Sequence, residues 1–358
     1  MSAERLAETL LWLCRIPSPI GEEKDLCDAV ADRVGRVPLA GPIRRYGDSI
    51  VVPVSRGTGG PKIALAGHLD VVRTVHEGPP RIDGDKLYGA GASDMKSGLA
   101  LMLDLVEEDL ALCRGVDLTL VFYAREEGPY LENELGPVLD ADAELRGVDL
   151  AVCLEPSDNK LSLGASGSIH ATVLFEGRTA HSARPWQGEN AIHKAGPFLT
   201  ELGALAPREV VLDGLLYRTV TSCTLAHGGR GRNIVPDGFE LNLNHRFSPD
   251  QSIEDAQRSI EALVAGRAKI TWTDLSPSAP PFASHPLVAA LREAGVAAVE
   301  PKQAWTDVAR FAAIGVPAVN FGPGVNAQAH QRNEWTSIAQ LASGREILVR
   351  WLAGLSPR

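Results

Sequence analysis

At 358 residues, and about 100–200 residues per domain, the chain is long enough for two or three domains. Apolar residues make up 44% of it and charged residues 22%, which excludes a disordered chain, a collagen-like repeat and a disulfide-stapled miniprotein. Lys plus Arg number 35 against 45 Asp plus Glu, a net charge of −10 with no basic run, so neither nucleic acid nor an anionic membrane surface is an expected partner.

In chain order, Leu6, Leu10, Leu11, Leu13 and Cys14 repeat at helical spacing, and this helix should stop at Ile16-Pro17-Ser18-Pro19. Glu4, Arg5 and Glu8 interrupt the apolar core that a signal peptide would need, and no stretch approaches the roughly 18 apolar residues of a membrane span. The five cysteines, Cys14, Cys27, Cys113, Cys153 and Cys223, are scattered without a C-x-x-C. They read as thiols in a reducing compartment, so the expected location is the cytoplasm.

A second helix is expected over 22–34, strands over 49–54 and 62–66, and a long helix over 95–112. The runs 116–123 and 148–154 are continuously apolar, as strands buried on both faces are. Strand, helix, strand, strand, helix and strand then follow over 170–176, 188–205, 219–227, 238–247, 251–265 and 268–274, the ferredoxin-like order. After the proline-rich 276–281, helices at 286–295 and 306–314, a strand at 316–321 and a closing helix at 333–355 resume the earlier style. The expected fold is α/β. A discontinuous catalytic domain (1–168 plus 278–358) with a largely parallel sheet carries an inserted ferredoxin-like α+β domain (169–277).

Ligand sites of parallel α/β sheets lie beyond the carboxyl ends of the strands. There this sequence places His68-Leu69-Asp70, Arg125-Glu126-Glu127-Gly128, Glu155-Pro156 and, past Gly322-Pro323-Gly324, His330. Asp94 stands where the long helix begins. Each has an ordinary reading taken singly: a capping Asp94, a strand exit at Glu155, a loop opened by Glu126-Glu127. Together they suit Zn²⁺, with Mn²⁺ or Co²⁺ possible. Two histidines and several carboxylates exceed one ion's needs, so a two-metal site with a carboxylate spare as general base is expected.

These residues, with Gly91-Ala92-Ser93-Asp94-Met95-Lys96-Ser97-Gly98, Thr179-Ala180-His181-Ser182-Ala183-Arg184-Pro185 and Asn190-Ala191-Ile192, resemble the M20 family of di-zinc aminoacylases and peptidases over nearly the whole chain. The resemblance implies that Asp94 bridges two ions per subunit, His68 and Glu155 holding one, Glu127 and His330 the other. It makes Glu126 the base, Asp70 the carboxylate that orients His68, and the insert a lid and dimerisation domain of a homodimer. His181 would reach from a partner subunit's insert to the oxyanion. It also implies a cis peptide at Asp94-Met95 and a substrate grip by Asn233, Arg246, Thr306 and Asn326. His76, His170, His193, His227, His245 and His285 match no metal position.

Ala124-Arg125-Glu126-Glu127-Gly128-Pro129-Tyr130, Trp305-Thr306-Asp307-Val308-Ala309-Arg310-Phe311 and Asn326 four residues before His330 are most similar to the actinobacterial form of the branch that desuccinylates diaminopimelate. The reaction so implied is hydrolysis of N-succinyl-LL-2,6-diaminopimelate, a small N-acyl amino acid. Asp70-Val71-Val72-Arg73 and Gly164-Ala165-Ser166-Gly167 depart from relatives that have Asp-Thr-Val-Pro and a basic pair there. Another amidohydrolase of the family, such as an acetylornithine deacetylase or a dipeptidase, shares every metal residue. A catalytically dead binding relative would lack one, and none is missing.

Overall fold

The computed structural model describes residues 3–113 and 115–355. They form two compact units. The first runs to Gly164 and resumes over Pro281–Pro301 and from Arg310 onward; the second comprises Ala165–Pro280 and Lys302–Ala309.

The sheet of the first unit has eight strands, ordered Arg44–Tyr46, Ser49–Pro53, Asp117–Tyr123, Lys62–His68, Leu150–Cys153, Ala318–Phe321, Leu161–Leu163 and Val299–Pro301. The four central strands are parallel, with His68 opposite Tyr123 and Ala66 and Asn320 both opposite Cys153. Ser49–Pro53 joins them antiparallel on one side and Leu161–Leu163 on the other, with Val299–Pro301 parallel to the latter at the edge. Because those four strands point the same way in near register, the residues that follow them emerge along one edge. The helix Lys96–Glu108 is buried at every residue from Lys96 to Val106, as a helix covered on all sides is. Its close approach to the sheet depends on Gly98, where a Cβ would lie 2.5 Å from the Leu154 carbonyl oxygen.

The second unit is a five-stranded antiparallel sheet ordered Arg208–Leu212, Leu215–Gly228, Gly238–Phe247, Gly167–Glu176 and Lys269–Ser276. Its last four strands, with the helices Ala191–Gly203 and Ile253–Val264, are the ferredoxin-like set. Phe175, Phe198, Leu241, Phe247 and Ile260 belong to the core between helices and sheet. Both helix starts are capped by side chains: Asn190 accepts from the amides of Ile192 and His193, and Ser252 forms a capping box with Asp255.

Several elements depart from sequence pattern. The long helix ends at Glu108; Asp109 caps it, and a single turn, Leu110–Cys113, follows. The closing helix starts at Ile338 because Trp335–Ser337 pairs with Lys86–Tyr88, which also pairs with Arg81–Asp83. Three-residue strands are too short to show alternation. Arg208–Leu212 is a further strand, joined to its neighbour through Asp213-Gly214. Lys302–Ala309 groups with the second unit rather than the first, since the Ser166 amide donates to Lys302 O, Gln303 bonds both the Arg218 amide and Leu216 O, and Trp305 Nε1 donates to Pro277 O.

Candidate metal centre and active site

His68 closes its strand and is 1% exposed. Its Nδ1 lies 2.9 Å from the main-chain carbonyl oxygen of Asp70 and 3.6 Å from Asp70 Oδ1. The carbonyl is therefore the nearer orienting group. The buried Asp70 carboxylate is engaged elsewhere: Oδ1 accepts from the Glu126 amide at 3.0 Å and Oδ2 from the Glu127 amide at 2.9 Å. Arg125 adopts a left-handed backbone (φ 63°) just before this pair of bonds, an uncommon conformation for a residue with a side chain. Asp70 thus fixes both the histidine and the turn that presents Glu126 and Glu127.

Asp94 is not the helix cap; Met95 occupies that position, and the Asp94–Met95 peptide is cis. The Asp94 carboxylate extends one oxygen toward each histidine, Oδ1 at 3.3 Å from His68 Nε2 and Oδ2 at 3.6 Å from His330 Nε2. His330 Nε2 is also 2.9 Å from the Glu127 carboxylate. One ligand atom from each of His68, Asp94 and Glu127 falls within a 4.8 Å span. Glu155, 5% exposed, follows the strand Leu150–Cys153, and its charge acts on His68 together with those of Asp70 and Glu126.

The electrostatics are those of a site built for cations. Burial opposes a charge on His68, but the hydrogen bond to Asp94 and the charges of Asp70, Glu126 and Glu155 outweigh it and raise its pKa well above the ordinary value. The Glu127 hydrogen bond lifts His330 to about 9. Burial, reinforced by the Asp94 charge, raises Glu127. Neutral imidazole and ionised carboxylates are the metal-binding forms, so an ion entering here takes the place of these protons. Oxygen and nitrogen donors without cysteine suit zinc, cobalt or manganese.

One residue escapes sequence reasoning. Glu334, 3% exposed, directs its carboxylate at the Asp94 loop and accepts from the amides of Gly91, Ser93 and Asp94 at 3.0, 2.7 and 2.8 Å. Burial pushes its pKa up to about 7. Its place four residues after His330 is the only sequence signal it carries.

Of the other expected residues, Asn326 lies in the first unit, in a short turn whose amide donates to Asp158 Oδ1. His181, Asn233, Arg246 and Thr306 belong to the second. His181 is exposed, and its Nδ1 accepts from the Ala183 amide, which leaves the proton of a neutral ring on Nε2. The Ser182 amide donates to Asn233 O, placing these two segments side by side. Arg246 is part-buried and its Nε donates to Asn244 Oδ1 at 2.9 Å. Thr306 Oγ1 is buried with no hydrogen-bond partner among the described residues. Of the histidines that match no metal position, His245 bonds Thr221 and is held at about 4 by burial, and His170 meets Asn242 and Asn244.

Histidine and carboxylate donors gathered around a shared aspartate are the arrangement of a metal-dependent hydrolase, and that is the class into which this chain falls. It belongs to peptidase family M20/M25/M40, whose sequence profile matches residues 64–354. It is 36% identical over 343 residues to a Mycobacterium tuberculosis protein named "Putative succinyl-diaminopimelate desuccinylase DapE", covering 96% of each chain. To the succinyl-diaminopimelate desuccinylase of Corynebacterium glutamicum it is 35% identical over 349 residues, covering 95% of this chain and 94% of the other. Its fold is similar to that of a Staphylococcus aureus tripeptidase (TM-score 0.79, 19% identity, 99% of each chain). It is also similar to a Bacillus subtilis dinuclear metal-binding M20 peptidase (TM-score 0.73, 16% identity, 99% and 98%). Among the described residues no helix is long and apolar enough to cross a membrane.

Proposed function

We propose that this protein hydrolyses N-succinyl-LL-2,6-diaminopimelate to succinate and LL-2,6-diaminopimelate, for lysine and cell-wall synthesis. In this reading it is a cytoplasmic homodimer holding two zinc ions per subunit, which cobalt or manganese can replace. The observation that carries the chemistry is Asp94 with one carboxylate oxygen toward each histidine. His68 and Glu155 would hold one ion, Glu127 and His330 the other, and Asp94 both. When bound, the pair supplies Lewis acidity toward the attacking water and the scissile carbonyl.

The rest of the work falls to side chains. Glu126, its amide tethered by Asp70, takes a proton from the attacking water on its carboxylate and delivers it to the departing amine. His181 of the partner subunit donates from Nε2 to the oxygen on which charge develops. Arg246, oriented by its Nε bond to Asn244, turns its terminal nitrogens to a substrate carboxylate, a charge-assisted contact stronger than a neutral one. Asn233, Thr306 and Asn326 complete the grip, and the unpartnered Thr306 hydroxyl supports a polar group being brought to it.

The identity of 35–36% to two proteins named as desuccinylases, along almost the whole chain, supports the succinyl substrate. The test is kcat/KM of the zinc-loaded protein on N-succinyl-LL-2,6-diaminopimelate against N-acetylornithine. A site built to pair a distal carboxylate rejects an analogue lacking it by as much as about 10⁴–10⁵. Preference for the succinyl compound by orders of magnitude is expected. Equal or better turnover of N-acetylornithine would reject the substrate and leave the amidohydrolase class standing.

A further inference from the structure

We infer that Glu334 is a positioning residue of the metal centre: it holds the Gly91–Asp94 backbone in the one arrangement that lets Asp94 face both histidines. The inference rests on reading Asp94 as the shared ligand. Asp94 has its carboxylate within 3.6 Å of two histidines from different segments, so a small rotation of its backbone would favour one and abandon the other. The loop's own bonds, from the Ala92 amide to Gly89 O at 3.1 Å and from the Lys96 amide to Gly91 O at 2.8 Å, do not involve the amides of Gly91, Ser93 and Asp94. Gly91 has a positive φ (75°), and no side chain caps the helix start at Met95.

Glu334 supplies the restraint from outside. Oε1 takes the adjacent amides of Ser93 and Asp94, and Oε2 takes that of Gly91, so both ends of the loop are tied to one carboxylate. Bonds of the neighbouring backbone and of the Ser93 hydroxyl extend the grip. The Gly89 amide donates to Glu334 O at 3.1 Å, Ser93 Oγ donates to Trp335 O at 2.8 Å, and the Val325 amide donates to Ser93 Oγ at 3.1 Å. The three amide bonds to the Glu334 carboxylate are charge-assisted, a type roughly twice as strong as neutral bonds. Placing an acidic group beside Asp94 has an electrostatic cost, since the two carboxylates repel. A loop that needed only burial would be served better by a neutral acceptor.

The segment 330–334 therefore does two things at once. It carries His330 as a ligand and, one helical turn's worth of sequence later, anchors the backbone of the ligand that His330 faces. The distance between His330 and Asp94 is set within that one short segment and the loop it grips. Groups that orient metal ligands without touching the ion typically change affinity by about 10–100-fold when removed.

The test uses the full-length protein, stripped and titrated with zinc alone by calorimetry, with the visible spectrum of the cobalt-loaded form as a second readout. Glu334→Gln keeps the shape and one acceptor oxygen but turns an N–H toward a loop amide. Glu334→Ala removes both oxygens. Zinc affinity should fall by about 10–100-fold in Glu334→Ala and by less in Glu334→Gln, and the cobalt bands should shift in both, at temperatures well below unfolding. Wild-type zinc affinity with an unchanged cobalt spectrum in both variants would overturn the inference, whatever their melting temperatures. A Glu334→Gln chain that fails to fold even with zinc would overturn it too, because a purely structural role would then suffice. Asp94→Asn is measured alongside. If it also binds zinc normally, the shared-ligand reading fails; if it alone weakens binding, only the role of Glu334 fails.

Discussion

Glu126 and Glu127 are neighbours in sequence, are fixed by the same carboxylate, and are assigned different work. Asp70 receives one amide on each of its oxygens, which holds the pair in a constant relation to His68. Glu127 then meets His330, whereas the proposed function assigns proton transfer to Glu126. Removing them separately should give different signatures. Glu126→Gln should keep wild-type zinc content while kcat falls by at least the ~10²–10⁴-fold of a lost general base. His181→Ala should likewise keep zinc and lose about 10²–10³-fold in kcat, as the removal of an oxyanion donor does. Metal analysis beside steady-state kinetics decides both. Stoichiometric loss of zinc in Glu126→Gln would place that residue among the ligands and leave the base unidentified.

At the scale of elements, the three helices Ala3–Arg15, Lys96–Glu108 and Ile338–Leu355 meet at a buried carboxylate. Asp104, 1% exposed, pairs with Arg5 at 2.6 Å and with Arg345, which also pairs with Asp109. Breaking a buried pair costs about 3–5 kcal/mol where the remaining charge is uncompensated, but Arg5 is one-third exposed and keeps Glu108, and Arg345 keeps Asp109, so the loss falls at or below the low end of that range. Asp104→Ala should therefore lower the free energy of unfolding by about 3 kcal/mol in urea titration. A loss well under about 1 kcal/mol would mean that the pairs behave as surface contacts. The helices themselves are legible in the sequence, because their apolar spacing runs over several turns. What pattern does not reveal is local pairing. Asp213-Gly214, with both residues at positive φ, is a two-residue hairpin turn that explains the strand Arg208–Leu212, yet the strand alternates too weakly in burial to stand out. Trp335–Ser337 reads as the start of a helix because nothing local to it shows that Lys86–Tyr88 lies opposite.

For the whole molecule, the legible part of the site is the part that strand order imposes. Four parallel strands end on one edge, so His68, Glu126, Glu127 and Glu155 can be assembled from chain position, and Asp94 and His330 join through their motifs. Glu334 does not emerge this way. It binds backbone amides roughly 240 residues earlier in the chain, and an amide acceptor leaves no periodicity and no spacing rule. The account as a whole stands on the proposal that this edge holds a pair of ions on which hydrolysis depends. The most direct measurement is stepwise return of zinc to chelator-stripped protein while the release of succinate from N-succinyl-LL-2,6-diaminopimelate is followed. Negligible turnover without metal, and recovery that is complete at two equivalents per chain, is the result predicted. Full activity in the stripped protein would contradict it.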